Sequence, residues 1–330
     1  MNETFGPATL DIDAGRETER IAAAIRSVVE RSRRKGIVVG VSGGIDSSVT
    51  AALAVRALGA KRVFALHMPE QESADETLPL STSVTDWLRV DSVVEDISPV
   101  LEAFGCYRRR DAAIRSVVPE YTTGWLSKIV LPSVVDSDAY RIYSVVVQAP
   151  DGTQLTKRLT TAAYLEIVAA SNFKQRARKT LEYFHADRLN YIVAGTPNRL
   201  EYDQGFFVKL GDGAADVKPI AHLYKSQVYA LAAYLGVPDD IRSRPSTTDT
   251  YSLPQSQEEF YFSLPYQRMD LCLYGLNNSI PIDRVAAATD LTPEQVERVY
   301  RDIEQKRRST AYLHAAPVLV DDVGEVTDMV

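Results

Sequence analysis

Apolar positions recur along this chain with two different periods, and the switches between them outline its elements. In residues 17–34, Ile21, Ala24, Ile25, Val28 and Val29 fall at helical spacing between charged residues, which predicts an amphipathic helix. Residues 37–41 form a continuous β-branched run, the pattern of a buried strand, and 49–58 reads as the helix after it. A second apolar run, 63–67, is closed by Pro69; 75–88 is predicted helical and 90–94 a third strand. Strands alternating with helices imply right-handed crossovers and an α/β fold, a doubly wound parallel sheet with flanking helices. In such sheets ligands sit beyond the carboxyl ends of the strands.

The rhythm breaks over about residues 107–158. Arg108, Arg109 and Arg110 lead into a predicted β-hairpin of 142–148 and 153–159 around Ala149-Pro150-Asp151-Gly152. An insertion of this length suits a lid, a substrate-selecting element or an oligomer contact. Helical patterning returns over 161–189, and a strand is expected at 191–194. A helix over 223–235 is stopped by Gly236 and Pro238. Thr292-Pro293-Glu294-Gln295 is a capping-box start for a helix to about Arg308. There is no internal repeat, so the expectation is a single domain over 1–330 with the 107–158 insertion.

The chain has 330 residues, 45% hydrophobic and 25% charged, with a formal net charge of −7. That balance argues against a nucleic-acid partner, which selects a basic surface. Cys106 and Cys272 are isolated in sequence, which predicts buried reduced thiols rather than a zinc site or a disulfide. The first 15 residues lack a basic-then-apolar signal pattern, and no apolar run reaches membrane-spanning length. A cytoplasmic enzyme is expected.

The strand at 37–41 runs into Gly40-Val41-Ser42-Gly43-Gly44-Ile45-Asp46-Ser47-Ser48. The glycines permit tight turns and close approach of amide N–H groups to a ligand. Those amides, the hydroxyls of Ser42, Ser47 and Ser48 and the next helix N-terminus make an anion cradle. Asp46 inside it would repel phosphate, a conflict that a divalent cation bridging Asp46 and a pyrophosphate resolves. The spacing is not that of the G-x-x-x-x-G-K-S/T loop. It resembles the PP-loop of the ATP pyrophosphatases, which cleave ATP between the α- and β-phosphates.

A second run of polar residues follows: Asn172-x-Lys174-x-Arg176-x-Arg178, then Gly195-Thr196-x-Asn198-Arg199-x-Glu201. After these come Gly205-Phe206-Phe207-x-Lys209-x-Gly211-Asp212-Gly213-x-x-Asp216, Pro219-Ile220 and Leu223-x-Lys225-x-Gln227. With the 42–48 turn, this ordered set resembles the NAD synthetases, N-type ATP pyrophosphatases with an adenine nucleotide alpha hydrolase-like fold. The resemblance implies a C–N-bond-forming ligase in which the carboxylate of deamido-NAD is adenylated by ATP and ammonia displaces AMP. Carried over residue by residue, it implies ATP binding by Gly40, Val41, Ser42, Gly43, Gly44, Ile45, Asp46, Ser47, Thr196, Lys225 and Thr247. It implies Mg²⁺ at Asp46 and Glu201, deamido-NAD at Arg176, Lys209, Asp216 and Lys306, and catalytic roles for Asp46 and Lys225. Met68 is expected to line the adenine pocket, and Asp212 and Gly213 to shape a binding loop. A homodimer is implied as well.

Three stretches depart from the family pattern: Pro197-Asn198-Arg199-Leu200-Glu201, Tyr261-Phe262-Ser263 and Gln305-Lys306. Together with the insertion they leave a second reading, a related PP-loop amide ligase that adenylates a different carboxylate. The roughly 35 residues ahead of the strand at 37–41 are too few for an amidase domain, so the nitrogen donor expected is free ammonia or that of a separate glutaminase.

Overall fold

The computed structural model describes residues 5–131, 133–135, 143–245, 250–321 and 323. Its centre is a four-stranded parallel sheet in the order β3-β2-β1-β7, built from β1 (Ile37–Gly40), β2 (Val63–His67), β3 (Asp91–Val94) and β7 (Ile192–Val193). Registers such as Ile37 opposite Val63 and Ile192 bring the strand ends level, so Gly40, His67 and Ala194 finish side by side. Alternation along the strands decides what each face meets. Ile37, Val39, Val63, Ala65 and Ile192 pack with helices α1 (Ala14–Arg31), α2 (Ile45–Leu58) and α8 (Lys225–Leu235). Val38, Leu66 and Val193 pack with Ala186 of α6 (Thr161–Leu189) on the other face. The sheet is therefore doubly wound, as the sequence pattern predicts.

Element ends follow local chemistry. α1 starts at Ala14, ahead of the expected 17, because the Asp13 side chain accepts from the Arg16 N–H at 2.9 Å. α6 is one helix of 29 residues, capped by Thr160 and ended by Asn190 in the left-handed region. α8 stops at Gly236 with φ 78°. α12 (Pro293–His314) opens on the Thr292 capping box and runs past the expected Arg308. With α10 (Tyr266–Asn277) and α11 (Ile282–Thr289) it forms a second apolar core containing Met269, Leu273, Val285, Val299 and Ile303.

Residues 107–158 are more structured than a hairpin alone. They hold most of α5 (Cys106–Arg115), which follows α4 (Ser98–Phe104), and then an antiparallel sheet in the order β4-β5-β6. That sheet comprises β4 (Leu126–Val130), β5 (Ser144–Gln148) and β6 (Gln154–Arg158). The β5–β6 turn is the one expected: Gly152 has φ 88° and donates to the Ala149 carbonyl, and Asp151 accepts from the Thr153 N–H. β4 is an addition to the predicted pair. It pairs with β5, and Ile129, Val145 and Val147 pack on Ile167 of α6. Cys106 and Cys272 are buried free thiols, and burial raises them to about 11 and about 12 respectively. Among the described residues no helix is long and apolar enough to cross a membrane.

Candidate active site

The turn after β1 is shaped by its small residues. Gly43 has φ 77°, and a Cβ there would lie 2.8 Å from the Leu80 Cβ and 3.0 Å from the Ser81 nitrogen in α3 (Thr77–Leu88). A Cβ on Gly40 would meet the Glu182 carboxylate at 2.9 Å. The Ser42 N–H donates to the Ser47 hydroxyl, and the Ser47 and Ser48 hydroxyls donate to the Gly44 carbonyl at 3.0 and 2.8 Å. Gly44 is the N-cap of α2 and has no side chain to satisfy the first-turn N–H groups. Those amides face a cavity of about 440 Å³ lined by all of residues 40–47. An uncapped helix start on such a cavity has the N–H donors an anion site requires.

Three chain-distant groups converge beside it. Asp46 stands in the first turn of α2, Glu201 in α7 (Arg199–Gln204) and Lys225 at the start of α8. The Lys225 ammonium, 2% exposed, pairs with one Asp46 oxygen. Asn198 Nδ2 donates to the other Asp46 oxygen at 3.1 Å and to Glu201 at 3.0 Å, so the two carboxylates share one amide. Asn198 also caps α7, accepting from the Leu200 and Glu201 N–H groups, while Glu201 accepts from the Asn198 N–H. This reciprocal capping box fixes the Glu201 carboxylate in place. Burial and the Asp46 charge raise Glu201 to about 8. Burial opposes the charge on Lys225, but Asp46 and Glu201 more than restore it, and its pKa lies above the usual lysine range. A cation at a helix N-terminus opposes the helix dipole, so Lys225 is there for the carboxylates, not for α8. Asp270 of α10 holds that helix start in place, accepting from the Lys225 and Ser226 N–H groups at 3.1 and 2.7 Å.

One face of α6 runs the length of the cavity. Tyr164, Val168, Ser171, Asn172, Gln175, Arg178, Lys179 and Glu182 all line it, in the i, i+4 and i+3 steps of one helical face. The face is aromatic at its start and charged at its end, where the Lys179–Glu182 pair (2.6 Å) lies under Gly40. Lys174, 2% exposed, binds Glu70 at 2.7 Å, Glu72 at 2.8 Å and the Thr250 carbonyl at 3.0 Å. Arg110 and Tyr107 of α5 complete that buried network on Glu72 and Glu70. Met68 and His67 line the cavity beyond β2. His67 is neutral, its pKa lowered by burial, and its ring nitrogens meet Ser81 and Thr85.

Thr196 and Met68 line the cavity as expected, and so do Asp212 and Glu201. Thr247 lies outside the described residues. Arg176, Lys209, Asp216, Lys225 and Lys306 are not in the cavity wall, and Lys225 reaches it only through its pair with Asp46. Arg176 is two residues from both Lys174 and Arg178, which turns it to the exposed side of α6, where its Nε donates to the Lys209 carbonyl. The Lys209 ammonium donates to the Tyr312 and Ala315 carbonyls at the end of α12. Asp216 accepts from the Val193 N–H at 2.7 Å and ties the 205–216 loop to β7. Lys306 is buried between α12 and the Tyr261 carbonyl, paired with Asp302. Asn198, Gln257 and the Tyr143, Tyr164, Tyr251 cluster were missed from the sequence. Only Asn198 left a signal there, its Asn-x-x-Glu capping box.

The glycine- and serine-rich turn, the uncapped helix and the converging Asp46, Glu201 and Lys225 match the ATP-pyrophosphatase class. The NAD synthase family matches residues 17–118 and 138–311, and the chain belongs to that family. It is 60% identical over 322 residues to the NH(3)-dependent NAD(+) synthetase of Rhizobium meliloti (strain 1021), covering 98% of this chain and 96% of that one. Identity to the protein of that name from Rhizobium rhizogenes (strain K84 / ATCC BAA-868) is 58% over 324 residues, 98% of each chain. Among solved structures, the NH3-dependent NAD synthetase from Campylobacter jejuni subsp. jejuni NCTC 11168 superposes with a TM-score of 0.62 at 25% identity, over 94% of this chain and all of that one.

Proposed function

We propose that this chain makes NAD from deamido-NAD, ATP and ammonia. The observation that carries the reading is the meeting of Asp46, Glu201 and Lys225 beside the 40–48 turn, in a chain similar over its length to ammonia-dependent relatives. In the first step a carboxylate oxygen of the acceptor attacks the α-phosphorus of ATP. The bond from that phosphorus to the bridging oxygen breaks, and pyrophosphate leaves with the electron pair. Residues 42–47 and the α2 N-terminus hold the departing phosphates, and the Lys225 charge stabilises them as negative charge develops. In the second step the ammonia lone pair attacks the acyl carbon, the carbon–oxygen bond to AMP breaks, and the nitrogen loses a proton. The protein supplies alignment and electrostatics, and both reacting groups are held in one cavity.

The donor set beside the turn fits Mg²⁺. No three His, Cys, Asp or Glu side chains among the described residues form an all-protein metal cage. Asp46 and Glu201 are instead two hard oxygen donors next to a phosphate site, the arrangement in which Mg²⁺ is held jointly with a nucleotide. Bound there, the ion would neutralise phosphate charge as a Lewis acid. Arg176 and Lys209, adjacent on the exposed side of α6, offer cationic groups to the part of the dinucleotide that reaches past the cavity. The antiparallel sheet belongs to the same single domain as an insertion. A homodimer in the cytoplasm completes the reading, supported by exposed Leu165 and Phe184 on α6 as apolar surface for a second copy.

The test is pyrophosphate release from ATP by purified protein with ammonia and Mg²⁺, comparing deamido-NAD with other carboxylic acids. Deamido-NAD should drive release and yield NAD. Release driven better by a different acid would assign the chain another acceptor.

A further inference from the structure

Among the described residues, the lysines and arginines that line the cavity are Lys174, Arg178, Lys179 and Arg244. Three of them are tied to partners away from the phosphate turn. Lys174 spends its three protons on Glu70, Glu72 and the Thr250 carbonyl. Arg178 turns its Nε to the Met68 carbonyl, and Arg244 pairs with Glu76. Lys179 differs from these. It is 5% exposed, and among the described residues its ammonium meets a single acceptor, Glu182 Oε2 at 2.6 Å. An ammonium carries three donors, so the cavity receives a buried cation with N–H groups that no protein acceptor takes up.

The pair stands where β1 gives way to the turn. A Cβ on Gly40 would lie 2.9 Å from Glu182 Oε1 and 3.1 Å from the Met68 Cε, so Lys179 and Glu182 sit between Met68 and residues 42–48. Stability does not account for the pair, because a buried ion pair gains little over apolar side chains of the same size. Asp212, the other buried carboxylate that feels the Lys179 charge, is already engaged by the Val208 N–H at 2.7 Å. Burial pushes both Glu182 and Asp212 above the usual carboxylate range although Lys179 pulls them back. They therefore offset its charge less than two ordinary carboxylates would.

In ATP the α-phosphate lies between the nucleoside and the two phosphates that depart. With those two on the turn and the nucleoside toward Met68, the α-phosphate falls beside Gly40, against Lys179. We propose that Lys179 is a catalytic residue of the adenylation step, its ammonium donating to a non-bridging oxygen of the α-phosphate while Glu182 orients it. As the acceptor oxygen bonds to the α-phosphorus and pyrophosphate leaves with the electron pair of the broken bond, Lys179 keeps its protons and stabilises charge on that oxygen. This rests on the function proposed above and supplies a contact for the phosphate at which the reaction occurs.

The test is NAD formation by the full chain with the two diastereomers of ATP that carry sulfur on the α-phosphate, in wild type and in Lys179→Met. Sulfur accepts a charged hydrogen bond poorly, so the diastereomer that turns sulfur toward Lys179 should react at least about tenfold more slowly than the other in wild type. Lys179→Met should lower kcat with ATP about a hundredfold and bring the two diastereomers to within about twofold of each other. A wild type that does not distinguish the diastereomers overturns the assignment. So does a Lys179→Met variant that slows both equally and keeps the wild-type ratio, which is what a purely structural lysine gives. If Lys179→Met does not fold because Glu182 is left buried without its cation, Lys179→Met combined with Glu182→Gln removes both charges and should show the same collapse of the ratio. Wild-type protein that makes no NAD from ATP itself would instead refute the function, a result read before any variant is made.

Discussion

Replacing Lys225 by Met keeps the length of the side chain and removes its charge, which isolates what that ammonium does. In the wild type it is fully buried, pairs with Asp46 and lies next to Glu201. Its removal leaves two carboxylates facing each other across the Asn198 amide. Breaking a buried pair costs about 3–5 kcal/mol when the remaining charge has no relief. Here there is relief: burial and the Asp46 charge already favour the protonated form of Glu201, and Asp46 keeps its Asn198 hydrogen bond. The stability loss should therefore fall to about 1–3 kcal/mol. The loss of catalysis has no such relief, because no other described cation pairs with Asp46 or Glu201. Losing one charged donor on the departing pyrophosphate should lower kcat by about 10²–10³. Initial rates of NAD formation and thermal melts with and without Mg²⁺ measure both quantities. The variant should also gain a larger Mg²⁺-dependent rise in Tm than wild type, since the ion then supplies the only positive charge between the carboxylates. A kcat/KM within threefold of wild type would refute the reasoning.

Asp46→Asn should abolish turnover and Mg²⁺-dependent nucleotide binding and cost about 3–5 kcal/mol of stability, because the buried Lys225 ammonium loses its carboxylate partner; isothermal titration and a urea melt check this. Gly43→Ala places a methyl 2.8 Å from the Leu80 Cβ at a φ of 77°, so it should shift α3, cost about 1–3 kcal/mol and raise KM for ATP at least tenfold in the same rate assay. Burial raises Asp270 from 3.8 to about 6 although two N–H groups donate to it. The folded state therefore holds this proton more tightly than the unfolded chain. The stability it contributes is full below about pH 4 and lost as pH rises through 6, a change of about 3 kcal/mol. Urea melts across that window should show a flatter pH dependence for Asp270→Asn; parallel curves would exclude the assignment.

Much of the sheet was legible because its signals are local. Continuous apolar runs ended at Gly40 and Pro69, and small residues at 40–48 had one purpose at a strand-to-helix junction. Asp46 was nameable from the turn itself; Glu201 and Lys225 came only with the family resemblance. Arg176, Lys209, Asp216 and Lys306 were carried over by motif alone, and their packing gives them other neighbours. Lys306 is buried by α12, a helix whose length past Arg308 no local pattern announced. Asp216 is spent on the Val193 N–H, a contact between segments 23 residues apart. The tyrosine cluster was invisible because Tyr143, Tyr164 and Tyr251 meet only once β4, β5 and α6 have packed.

The central claim is that an acceptor carboxylate is adenylated beside Asp46, Glu201 and Lys225 and then captured by ammonia. Deamido-NAD labelled with ¹⁸O in both carboxylate oxygens tests it most directly, with the label followed into NAD, AMP and pyrophosphate by mass spectrometry. Attack at the α-phosphorus leaves one labelled oxygen in each NAD amide and one in each AMP, with none in pyrophosphate. Label in inorganic phosphate, or ADP as the nucleotide product, would mean attack at the γ-phosphorus and would contradict the account.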